Sequence, residues 1–91
     1  MSDPWDPEKA EANLRKHGVG FPEAVTLEDD QSAWWRGDED HSTTEGRYVV
    51  VGMSYRRRIL FVVCTNRHDR MRPISARRAT KRERNEYWFR R

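Results

Sequence analysis

The chain has 91 residues, enough for one domain with a modest core, and 36% of them are charged against 35% hydrophobic. No apolar run approaches the ~20 residues needed to cross a bilayer, and the opening Met1-Ser2-Asp3-Pro4 has no signal-peptide character, so a cytoplasmic protein is expected. Cys64 is the single cysteine, which rules out an intramolecular disulfide framework; its place at the end of an apolar run predicts a buried, inert thiol.

The net charge of +3 hides an asymmetry. Residues 1–55 hold five basic and twelve acidic groups, a balance of −7; residues 56–91 hold thirteen basic and three acidic groups, a balance of +10. So uneven a distribution repels itself unless the basic half meets an anion or the acidic half. Nucleic acid is the natural partner, and an acidic protein is the alternative.

Asp6-Pro7-Glu8 starts a helix: Asp6 can cap it, Pro7 has the φ of a first helical position, and Glu8 suits the positive end. Ala10, Asn13, Leu14 and His17 recur at helical spacing, and Gly18 suits the left-handed residue that ends it. Trp5 is expected to pack on its first turns. Phe21-Pro22-Glu23-Ala24-Val25 reads as a second, short helix closed by Glu28-Asp29-Asp30. Trp34-Trp35 suits a short edge strand, and Gly37 to Gly46 reads as a polar, mobile loop. Tyr48 to Met53 is a strand, and Ser54 to Arg57 turns the chain into the next one.

Ile59 to Val63 is a run of five apolar residues bounded by arginines, a strand expected to be central and buried on both faces. Asn66 to Asp69 has turn composition, and Met71 to Ala76 returns as a second strand. Pro73 has no N–H to donate and demands an edge or a bulge there. In a regular strand Arg70, Arg72 and Arg78 share one face and Arg77 points the other way. Thr80, with Glu83 three positions on, has the spacing of a capping box and opens a last helix to about Arg90. The whole is a single α+β domain over residues 1–91, with two N-terminal helices, three or four antiparallel strands and a C-terminal helix.

An arginine-lined hairpin followed by a basic helix suits phosphate binding, because the guanidinium fork donates to two phosphate oxygens at once. No Cys or His spacing suggests zinc, no carboxylate cluster suggests magnesium, and no cofactor is expected. Pattern alone leaves three readings open: a ribonuclease, a non-catalytic nucleic-acid module, or a domain that binds an acidic protein.

Trp-Asp-Pro-Glu-Lys-Ala at 5–10, the run from Asn13 to Val19 through Lys16-His17-Gly18, Phe21, Glu23-Ala24, and Ile74 to Thr80 resemble the BrnT toxins of type II toxin–antitoxin systems. The resemblance extends from Trp5 to Tyr87. It implies a fold similar to RelE-type ribonucleases and an RNA-cleaving toxin that inhibits translation. It also implies a BrnA-like antitoxin partner, through which operator DNA is bound indirectly. Two positions depart from that family's pattern: Asn66 stands where a glutamate is usual, and Pro73 where an isoleucine is usual.

Metal-free cleavage of RNA needs a group to take the 2′-hydroxyl proton, cations for the developing charge, and a donor to the leaving oxygen. On this reading the catalytic candidates are Lys16, His17, Thr65, Arg67 and Arg77, with Arg70, Arg72, Arg78, Lys81 and Arg82 holding RNA. His17 and His68 are two of the chain's three histidines, the side chains whose ordinary pKa lies nearest neutrality. Each candidate also has a plainer role. Lys16 and His17 complement the end of a helix, Thr65 fills a strand position, and Lys81 and Arg82 form a solvated face.

Overall fold

The structure is a computed structural model and describes residues 5–37 and 46–90. The expected loop from Gly37 to Gly46 lies, but for its end residues, outside the described residues. Helix α1 spans Pro7–His17, and its Asp6 cap accepts the Glu8 N–H at 2.9 Å. Gly18, at φ 70°, ends it by donating to Leu14 O. Helix α2, Phe21–Ala24, runs directly into a 3-10 turn over Val25–Asp29. Four strands follow: β1 (Trp34–Gly37), β2 (Tyr48–Met53), β3 (Ile59–Arg67) and β4 (Arg70–Arg78). They form one antiparallel sheet in the order β1-β2-β3-β4, so β4 is an edge, as Pro73 required. Helix α3, Lys81–Phe89, closes the described chain, and both halves of its Thr80–Glu83 capping box are made.

The strand period of two divides the core into two clusters. Leu60, Val62 and Cys64 of β3 point to one face, where Val19, Phe21, Ala24 and Leu27 bury them completely. Ile59, Val49 and Val51 point to the other, under Tyr87 and Ala79. Only the first face is closed along its length. On the second, α3 covers one end, and Phe61 and Val63 stay half-buried. The expectation of a strand buried on both faces therefore holds for one end of β3 only. A nine-residue helix cannot span a nine-residue strand, because it rises about 1.5 Å per residue against about 3.3 Å.

Two polar residues join the layers. Asn13, buried within α1, donates to Ala76 O at 2.8 Å and accepts the Ala76 N–H at 3.1 Å, so its amide pairs with the β4 edge as another strand would. Asp30 accepts the Met53 N–H at 2.7 Å and the Tyr87 hydroxyl at 2.7 Å. That approach needs Gly52, because a Cβ there would lie 2.8 Å from Ala33 Cβ. Leu14 is 53% exposed rather than part of the core, and Trp5 packs edge-on against Phe21 of α2.

Candidate active site

The β3–β4 tip is tighter than its composition suggests. Pairing continues to Arg67↔Arg70, and the turn is His68-Asp69 alone. Both have positive φ, 53° and 63°, as a two-residue type I′ turn requires. The strands therefore extend to the tip and carry the arginines in regular register.

Register decides which arginines meet. Pairing is Val63↔Ser75 and then Cys64↔Pro73, which leaves Ile74 as an extra residue, a β-bulge. The bulge reverses the alternation expected of a regular strand. Arg67, Arg70 and Arg72 share the α3 face with Arg77, since their partners are Thr65, Phe61 and one another. Arg78 pairs with Leu60 and lies on the opposite face. The expected grouping of Arg78 with Arg70 and Arg72 is thus corrected, and Pro73 is the cause: a residue without an N–H is accommodated by a break in the ladder.

These cations differ in what holds them. Arg77 Nη1 and Nη2 donate to Glu83 Oε1 and Oε2 at 2.8 and 2.9 Å, and its guanidinium lies 4.1 Å from the Phe61 ring centroid. Glu83 also accepts the Thr80 N–H at 2.8 Å. The Arg77 hydrogen bonds, opposed by burial and helped by Thr80, hold the Glu83 carboxyl below its ordinary value. Arg67, Arg70 and the half-buried Arg72 have no ion-pair partner among the described residues. Thr65 is opposite Arg72. Both line a cleft of about 120 Å³, with Arg47, with Asp6 and Lys9 of α1, and with Pro73-Ile74 at the bulge. Two larger hollows, about 400 and 410 Å³, flank the 3-10 turn; one is lined by Asp29, Asp30 and Arg57, and the other by Glu28, Asp29 and Arg70, at the base of the hairpin tip.

Lys16 and His17 lie elsewhere. Arg58 Nη2 donates to Gly18 O at 3.2 Å, which sets the end of α1 beside the start of β3. Lys9 and His17 are eight residues apart on α1, about 12 Å. Neither Lys16 nor His17 is among the residues that line the cleft. Lys81 and Arg82 are exposed in the first turn of α3. Asn66 pairs with buried Met71 on the α1 side of the sheet, where its amide oxygen accepts the Tyr48 hydroxyl at 2.5 Å. Burial raises the Tyr48 pKa and pushes the Cys64 thiol up to about 12. Among the described residues no three His, Cys, Asp or Glu side chains cluster as a metal site needs, and no helix is long and apolar enough to cross a membrane.

Residues 5–83 match the family model described as the ribonuclease toxin BrnT of type II toxin–antitoxin systems. The chain belongs to this family. No curated protein matches it. Its fold is similar to that in the 1.1 Å crystal structure of the Brucella abortus ribonuclease toxin BrnT, with a TM-score of 0.67 and 24% identity over 85% of this chain and 94% of that one. Several residues that carry the BrnT resemblance have structural work in this molecule. Asn13 clamps β4, Gly18 ends α1, and buried Glu23 accepts from Ser54 Oγ at 2.7 Å and from Arg58 Nε at 3.0 Å. Burial would raise the Glu23 pKa, but the Arg58 and Ser54 hydrogen bonds and the charges of Arg58 and Arg56 outweigh it and keep it below its ordinary value. Lys9, Asp6 and Arg47 are the cleft residues that sequence reasoning missed. Asp6 has a complete explanation as a helix cap, Lys9 reads as one exposed helix residue among several, and Arg47 precedes a strand, so only the packing of α1 against β4 shows them facing a cleft.

Proposed function

We propose that this BrnT-family chain is an endoribonuclease whose RNA track is the α3 face of the hairpin. Membership of the family implies an RNA target and an antitoxin partner. The observation that supports the location is the set Arg67, Arg70 and Arg72, three cations on one face that lack an ion-pair partner among the described residues. A half-buried guanidinium without a counterion is a site for an anion, and Thr65 adds a hydroxyl beside it. Arg77 continues the track, about 13 Å from the Thr65–Arg72 pair by strand rise, with its fork committed to Glu83. Its first role is to anchor α3. Lys16 and His17 serve the end of α1 or a flanking stretch of RNA, and Lys81 and Arg82 extend the basic surface. Cleavage in the cytoplasm without a metal cofactor, inhibition of translation, and neutralisation by a BrnA-like antitoxin that binds operator DNA complete the reading.

The test is cleavage and binding of single-stranded RNA by purified protein in EDTA. The triple variant Arg67→Ala, Arg70→Ala, Arg72→Ala is expected to lose cleavage and to lower the salt slope of log K by about 2, at about 0.7 per phosphate. Unchanged binding and cleavage would reject the hairpin as the track. A wild type that binds RNA but never cleaves it would favour a binding module.

A further inference from the structure

The arginine face supplies charge stabilisation but no group to accept a proton. The cleft beside it does. One wall is α1, where Asp6 and Lys9, three residues apart, fall on the same helix face. The other wall is the sheet, where Arg47, Thr65 and Arg72 stand half-buried. The bulge at Pro73-Ile74 forms its edge. At about 120 Å³ the cleft is much smaller than the hollows beside the 3-10 turn, and it is open to solvent, as a site for one phosphate of a longer strand needs to be. Among its described lining residues, Lys9, Arg47 and Arg72 stand beside one carboxylate. That carboxylate is Asp6. Its Oδ1 is held by the Glu8 N–H at 2.9 Å, which fixes the side chain and leaves Oδ2 for another donor.

Resting on the ribonuclease reading, we infer that this cleft holds the scissile phosphodiester, with Asp6 taking the 2′-hydroxyl proton and Lys9 protonating the leaving 5′-oxygen. The 2′-oxygen attacks phosphorus as its proton passes to Asp6 Oδ2. The developing charge on the phosphoryl oxygens is met by Arg72, with Arg47 and Thr65 beside it in the cleft wall. The P–O5′ bond then breaks, and the departing oxygen takes a proton from the Lys9 ammonium. The products are a 2′,3′-cyclic phosphate and a 5′-hydroxyl, and the proton on Asp6 returns to Lys9 through water. The Asp-Pro-Glu-Lys segment at 6–9 thus both starts a helix and carries the proton transfer.

The experiment separates these roles, because Asn and Ser cap helices as well as Asp does. Asp6→Asn and Asp6→Ser are expected to keep the thermal midpoint and the RNA affinity while single-turnover cleavage falls by about 10²-fold or more. Lys9→Gln is expected to cleave ordinary RNA slowly and to recover most of the wild-type rate on RNA with a 5′-bridging sulfur at the cleavage site, whose leaving group needs no proton. Cleavage within a few-fold of wild type by either Asp6 variant overturns the assignment, as does a Lys9→Gln defect equally large on both substrates. A wild type that cleaves no RNA overturns the ribonuclease reading itself, whereas a cleaving wild type with active Asp6 variants overturns the assignment alone.

Discussion

The two ends of the β2–β3–β4 meander each carry three arginines, and they use them in opposite ways. At the β2–β3 turn, Arg58 is 20% exposed and paired with Glu23, which is 5% exposed; Arg56 lies 3.8 Å from the same carboxylate. Ser54 organises this turn: its N–H donates to Arg58 O, its Oγ accepts from Arg56 and Arg58 and donates to Glu23, and Arg57 takes φ 63° to close it. At the β3–β4 tip, Arg67, Arg70 and Arg72 flank a two-residue turn and have no such acceptor among the described residues. Density of arginine is thus a poor guide to function. What separates a structural cluster from a binding one is whether the fold supplies the anion.

The largest effect should come from removing the anion at the structural end. Glu23→Ala leaves Arg58 with a lost counterion in a buried setting, and a loss of about 3–5 kcal/mol in urea unfolding is expected. The pH dependence has the same origin. Glu23 and Glu83 both lie below the ordinary 4.5 in the folded protein, so the unfolded chain binds more protons as pH falls. Their stabilisation is present above about pH 4.5 and is lost as pH drops through their lower folded values. Urea midpoints at pH 7 and pH 3 should show the fall, and Glu23→Gln should shrink it. Equal stability of wild type and Glu23→Ala would remove the contrast between the two ends.

A smaller effect is expected at the boundary between the regions. Arg77→Ala breaks a two-point ion pair and a contact with Phe61, and should lower stability by about 1–2 kcal/mol. Arg67→Ala, with no such partner, should stay within about 0.5 kcal/mol of wild type. Matching losses in the two variants would place Arg77 with the binding arginines rather than with the anchor of α3.

The smallest effect sharpens the comparison from the other side of the sheet. Asn66→Glu restores the carboxylate usual in the family, yet position 66 pairs with Met71, away from Arg67 and Arg72. Cleavage rates within about twofold of wild type are expected. A rise of tenfold or more would show that a carboxylate at this position reaches the reacting phosphate.

Much of the fold was legible in the residues because its signals are local. Asp6-Pro7 and Gly18 bound α1, Thr80 with Glu83 starts α3, and Pro73 demanded an irregular edge; each needs only its neighbours to have its effect. The basic hairpin was legible as well, since charge is a property of composition. Which arginines act together was not. Where Pro73 would break the ladder depends on pairing with β3, and one extra residue at Ile74 exchanged Arg78 for Arg77 on the binding face. Likewise Glu23 met Arg58 across 35 residues and Asn13 met Ala76 across 63, contacts set by how helices pack on a sheet. Sequence by itself determined the elements and the sign of the surface. Only tertiary structure decided which charges are paired, which stand free to meet an anion, and that α1 brings Asp6 and Lys9 to their side, because those outcomes depend on register and packing between segments far apart in the chain.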